Sequence, residues 1–92
     1  MIAEENKKTI LRCAKKYGVS AIVLFGSSLR DDSQANDIDI AVKGIAPELF
    51  FKFYAELFKT LSKPVDLIDL DVKSPFSEYV EETGVRIYGQ TA

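Results

Sequence analysis

The stretch LFGSSLRDDSQANDIDIAV, residues 24–42, decides how the chain is read. A compact apolar run, Ala21 to Phe25, ends in a Gly-Ser turn, and a polar loop follows. A second apolar run then opens with Asp37 and Asp39, one residue apart. Runs of this length bounded by turn residues read as strands, here Ala21–Phe25 and Asp37–Val42. Successive strand side chains point to opposite faces, so Asp37 and Asp39 share a face, their Cα atoms roughly 6.6 Å apart. Ile38, Ile40 and Val42 share the other face and can pack under helices.

A solvated face accounts for a lone Asp-x-Asp, because half-wet strands alternate apolar and polar residues. Two features point further. Asp is disfavoured in strands, and a second acidic run, KPVDLIDLD (63–71), sets Asp66 between Val65 and Leu67. If Asp66 joins the pair, carboxylates ~5 Å apart repel by roughly 3 kcal/mol per pair at an effective dielectric of 20. That is a large share of a small domain's stability. A divalent cation reverses the sign. Mg²⁺ takes oxygen ligands and completes its shell with water and substrate phosphates, and paired ions clamp attacking and leaving oxygens.

The Gly-Ser turn fits the same chemistry. Gly26 has no Cβ, so the backbone can turn sharply and come close to a ligand. Ser27 offers a hydroxyl and, if a short helix follows, free N–H groups of the kind that hold phosphate. Arg30 adds a bidentate phosphate donor. Alone, Gly-Ser after a strand is a turn and Arg30 a solvated charge; strand, Gly-Ser, short helix and an Asp-x-Asp strand together are far more restrictive.

Working outward, Ile10, Cys13, Ala14 and Tyr17 recur at helical spacing before Gly18, predicting a helix over 3–17. Pro47 begins a second helix to about residue 62, its apolar face formed by Phe50, Phe53, Tyr54, Leu57, Phe58 and Leu61, with Phe51 off that face. Pro64 to Leu70 reads as a third strand. Ser74-Pro75 is an N-cap with Pro at the first helical position, and Gly84 closes that helix. Val85 to Tyr88 makes a short last strand. The expected fold is α/β (α+β): a small mixed sheet of about four strands with helices on one face, one domain over residues 1–92.

Composition narrows the chemistry. The chain has 92 residues, a formal charge of −2, one cysteine (Cys13) and no histidine. A histidine base, a histidine metal cluster, an internal disulfide and a Cys-x-x-Cys zinc site are all excluded. No basic run is present to neutralise a phosphate backbone, so no direct nucleic-acid binding is expected. No apolar stretch nears the ~20 residues of a membrane helix, and MIAEENKK is too charged for a signal peptide; the expectation is a cytoplasmic protein.

The constellation resembles the minimal nucleotidyltransferase family of the DNA polymerase β-like superfamily. The matching residues are LFGSSLR (24–30), NDIDIAV (36–42) and VDLIDL (65–70). The resemblance implies that Gly26 and Ser27 hold nucleotide phosphates with Arg30 nearby, and that Asp37, Asp39 and Asp66 are the catalytic carboxylates that bind two Mg²⁺. Asp69 competes for the third place, although it lies on the opposite strand face. The family's Gly after the Arg is Asp31 here, its Ser before the aspartate pair is Asn36, and the intervening loop is one residue short of the commonest form. Members of this size are paired with HEPN-domain toxins as antitoxins, and transfer AMP from ATP to a tyrosine hydroxyl of the partner. The alternative is a catalytically weak or inactive domain that neutralises a toxin by binding alone, with the surface around Phe51 as its contact.

Overall fold

The computed structural model describes residues 1–89. Helix α1 spans Glu4–Lys16, with Glu4 and Glu5 in its first turn and Lys15 and Lys16 in its last, each sign opposite to the helix-end partial charge. Ile10, Cys13 and Ala14 form its buried stripe. Strand β1 (Ala21–Leu24) is buried on both faces, and a 3₁₀ turn over Gly26–Leu29 follows it. A second 3₁₀ turn, Asp32–Gln34, leads into β2 (Ile38–Lys43). A turn at Pro47–Leu49 opens α2 (Phe50–Thr60), then come β3 (Val65–Asp69), α3 (Pro75–Thr83) and β4 (Val85–Tyr88).

The sheet order is β3-β2-β1-β4. β1 is antiparallel to β2 and β4, while β2 and β3 are parallel and are joined across the sheet by α2. Alternation sorts the side chains into two layers. Ile22, Leu24, Ile38, Ile40, Val42 and Leu67 pack with Ile10 and Cys13 of α1 and with Phe53 and Leu57 of α2. Val23, Ala41 and Phe25 face the other way, with Leu70 and with Val80 of α3.

The expected class and the four-stranded mixed sheet stand. The placement of all helices on one face does not: α3 covers the opposite face, because its buried Val80 meets Val23 and Ala41 rather than the α1–α2 layer. Phe58 is also placed otherwise, 65% exposed rather than core-facing, since Phe53, Leu57 and Leu61 already fill the stripe. Asp37 lies one residue before β2.

Local contacts fix these elements. Helix α3 carries a reciprocal cap: Ser74 Oγ accepts from Ser77 N–H at 3.0 Å and Ser77 Oγ accepts from Ser74 N–H at 2.9 Å. Helices α1 and α2 are clamped at Glu56, whose carboxylate receives Lys16 Nζ at 2.8 Å, Tyr17 OH at 3.0 Å and Cys13 Sγ at 3.3 Å. The Lys16 bond, then those of Cys13 and Tyr17, hold the Glu56 carboxyl below its usual range. Burial, then Glu56, pushes the Cys13 thiol up to about 11. Among the described residues no helix is long and apolar enough to cross a membrane.

Candidate functional site

The site begins where β1 stops. One residue beyond the Leu24–Ile40 pair, the Phe25 N–H donates to the Asp39 carbonyl at 3.1 Å. Gly26 then turns the chain at φ +55°, and a Cβ built there would stand 2.7 Å from Asp39 Oδ2. Only glycine satisfies both conditions, the positive φ and the close approach of a carboxylate.

The turn wraps Asp39. Its Oδ2 accepts from the Ser27 N–H at 3.0 Å and from the Ser27 hydroxyl at 2.7 Å. The Asp37 carbonyl is the hydroxyl's other neighbour at 3.2 Å. With one proton to give, the shorter bond to the charged acceptor takes it. Ser28 works from beneath: its buried Oγ accepts the Asp39 N–H at 2.7 Å. Ser28 replaces a missing strand partner at the start of β2, a role for which the sequence has no periodic signal.

Asp66 is the register partner of Asp39 across the parallel β2–β3 pair. Paired residues of parallel strands point to one face, so the two carboxylates stand side by side on the face that α3 also occupies. Asp37 precedes Asp39 by two residues and is exposed. Asp69 pairs with Val42 on the other face, and its Oδ1 accepts from the Asp71 N–H at 2.9 Å, closing the strand end. Among the described residues, no three acidic, histidine or cysteine side chains are drawn close enough to hold an ion. The Asp39 carboxylate is turned to Ser27. The donor set nonetheless suits Mg²⁺: it is all oxygen, with the one cysteine buried on the far layer. Ser27, expected to face phosphate, directs both donors inward at Asp39.

The loop between turn and strand is tied down at Lys63. Its Nζ donates to the Asp32 carbonyl at 2.5 Å, the Ala35 carbonyl at 2.9 Å and the Asp32 carboxylate at 3.0 Å. The Ile38 N–H donates to the neighbouring Pro64 carbonyl at 2.8 Å. Asp31, which stands where the resembling family has Gly, caps this loop: its Oδ1 accepts from Ser33 N–H and Ser33 Oγ, each at 3.1 Å. Those two bonds hold the Asp31 carboxyl below its usual range. Arg30 is exposed immediately after the 3₁₀ turn. A cavity of about 710 Å³ lies at the opposite end of β1, lined by Ser20, Lys43 and Arg86, and contains none of these carboxylates.

Residues 7–92 match the family model described as polymerase beta, nucleotidyltransferase. Several solved structures are similar. A chain of a toxin–antitoxin complex with AMP-PNP is 27% identical, over 94% of this chain and 75% of that one, with a TM-score of 0.76. A complex of tri-AMPylated HEPN toxin with MNT antitoxin from Shewanella oneidensis contains a chain 25% identical, over 92% of this chain and 71% of that one, at a TM-score of 0.70. A chain of a MntA–HepT toxin–antitoxin complex, 24% identical over 96% of this chain and 74% of that one with a TM-score of 0.72, shares the fold. No curated protein matches.

Proposed function

Because the chain belongs to the polymerase beta nucleotidyltransferase family, we propose that it transfers AMP from ATP to a tyrosine hydroxyl of a HEPN-type toxin, as that toxin's antitoxin. The observation that carries this reading is the pairing of Asp39 with Asp66 beside a Gly-Ser turn whose donors converge on Asp39. The likeness to a chain from a complex holding a tri-AMPylated HEPN toxin supports the acceptor, and the likeness to one solved with AMP-PNP supports the nucleotide.

In this reading Gly26 lets the triphosphate approach the backbone, and Ser27 and Arg30 bind its oxygens. Two Mg²⁺ held by Asp37, Asp39 and Asp66 would supply charge neutralisation at the phosphates and a lowered pKa for the attacking hydroxyl. Ser28 fixes the backbone that carries Asp39. Asp66, exposed at the sheet edge, activates the acceptor hydroxyl. The tyrosine hydroxyl gives its proton to the Asp66 carboxylate, its oxygen forms a bond to the α-phosphorus, the bond from that phosphorus to the bridging oxygen breaks, and pyrophosphate leaves with the electron pair. Rate enhancement comes from positioning and charge, with no covalent enzyme intermediate.

The test is incubation of the chain with ATP labelled at the α-phosphate, Mg²⁺ and the HEPN partner. Label on the partner is expected; an unlabelled partner overturns the transfer. A second reading, neutralisation by binding alone, is favoured by Phe51, 78% exposed. It predicts that neutralisation survives the Asp37→Asn/Asp39→Asn double variant and is lost in Phe51→Asp.

A further inference from the structure

Beside the carboxylates stands an aromatic pair that the phosphate chemistry does not use. Phe25 clusters with Val23 and Ala41, so its ring lies on the Asp39 face of the sheet. Phe76, in the first turn of α3, meets it edge-on, with ring centroids 5.7 Å apart and planes at 81°. Phe25 is 8% exposed and Phe76 is 52% exposed. One ring is therefore anchored in the core, and the other rests on it with a large share of its surface in water.

On this face Phe25, Asp39 and Asp66 follow one another across the sheet: the Phe25 N–H donates to the Asp39 carbonyl, and Asp66 is the register partner of Asp39. Neighbouring strands lie about 4.8 Å apart, so the Phe25 backbone stands about one strand spacing from that of Asp39, and the Phe76 ring rests on the Phe25 ring. A ribose and its phosphates reach further than one such spacing. The exposed phenylalanines of α2, Phe51 and Phe58, lie on the helix that packs on the other face of the sheet and have no such continuity with the carboxylates.

We propose that Phe76 is the platform on which the base of the bound nucleoside triphosphate stacks. The inference deepens the nucleotide reading of this site and rests on it. An aromatic ring gives a base affinity through its π-face without demanding a particular hydrogen-bond pattern, so the subsite favours nucleotides over bare polyphosphate more than one base over another. Phe25 acts as a positioning residue: its edge-to-face contact fixes the angle of the Phe76 ring.

The test measures equilibrium binding of two probes in Mg²⁺, AMP-PNP and inorganic tripolyphosphate, to the wild type, Phe76→Leu and Phe76→Trp. Leucine keeps an apolar side chain against Phe25 but offers no ring. Phe76→Leu is expected to weaken AMP-PNP roughly 10-fold and to leave tripolyphosphate within about twofold, with Phe76→Trp close to wild type. Equal AMP-PNP affinity in wild type and Phe76→Leu overturns the platform while leaving the nucleotide site intact. Equal loss of both probes also overturns it, assigning the ring to support of the phosphate turn. Normal nucleotide binding with lost transfer to a protein acceptor overturns it in favour of a protein contact. A wild type that binds neither probe overturns the nucleotide reading itself, and the platform with it.

Discussion

The carboxylate of Asp39 receives both donors of Ser27, the backbone N–H at 3.0 Å and the hydroxyl at 2.7 Å. Turn and carboxylate are thus one hydrogen-bonded unit, and a metal ion or a phosphate entering the site must share or displace these bonds. Asp39→Asn weakens two charge-assisted bonds and at the same time removes repulsion from Asp66. The two effects oppose, so stability without Mg²⁺ should stay within about 1 kcal/mol of wild type. Stabilisation by Mg²⁺ should vanish, and AMP transfer should fall at least ~100-fold. Melting curves with and without Mg²⁺, beside a labelled-AMP assay, check all three. Unchanged stabilisation by Mg²⁺ would remove Asp39 from the proposed metal site.

Gly26→Ala combines a left-handed backbone angle with a Cβ 2.7 Å from Asp39 Oδ2. The strained angle alone costs about 1–2 kcal/mol, and the clash pushes Asp39 off the turn. A lowered midpoint in urea with an unchanged slope, together with lost transfer, is expected. Wild-type stability in this variant would contradict the turn geometry.

Ser28 and Ser27 are adjacent and should behave differently. Ser28→Ala leaves the Asp39 N–H without its acceptor in a buried place, a loss of about 1–3 kcal/mol. In a domain of this size each kcal/mol moves Tm by roughly 4–8 °C. Ser27→Ala removes a part-exposed hydroxyl and should cost less stability. Calorimetry of the two variants gives the order; the reverse order would contradict the burial of Ser28.

Lys63 ties the loop to the start of β3. Lys63→Met removes three bonds from the 32–35 segment without touching a carboxylate of the proposed site. Limited proteolysis should cut this loop faster than in wild type, and KM for ATP should rise several-fold with little change in kcat. A kcat loss with KM intact would instead place Lys63 in the chemical step.

Glu56 contributes to the acid limb of stability, beside Asp31 and Glu81, whose carboxyls are also held below their usual range. The folded Glu56 carboxyl lies below 4.5, chiefly through the Lys16 hydrogen bond, while its unfolded value is near 4.5. A group depressed on folding contributes stability that is complete above the unfolded value and is lost as pH falls through the folded one. Tm of wild type should therefore hold above about pH 5 and fall below ~4.5, with a shallower fall in Glu56→Gln. Parallel acid limbs would show that other carboxylates govern it.

The strands and their acidic face were legible because a period of two survives without knowledge of the tertiary fold, and Asp66 followed from the same alternation. The side chosen by α3 was not. A nine-residue helix with Val80 as its fully buried apolar residue carries too little pattern to say which face of a sheet it will cover. Phe58 misled for a related reason: helical spacing gives an angle around the axis but not where the neighbouring layer ends. Ser28 and Lys63 act through hydrogen bonds to residues 11 to 31 positions away, which leave no periodic trace. Gly84 read as a helix stop and is one, yet its φ is ordinary; a Cβ there would meet Val23 Cγ1 at 2.4 Å, so packing room is what demands it.

The parallel ladder that aligns Asp39 with Asp66 has one further consequence. A slip of one residue along β3 would set Val65 or Leu67 beside Asp39 and turn Asp66 into the apolar layer under α1 and α2. A chain trapped in that arrangement would be greasy outside and charged within, prone to clump as well as inert. Insertions or deletions in the 44–64 crossover therefore put solubility and chemistry at risk together, and a screen for soluble expression would discard the slipped chains without any assay of transfer.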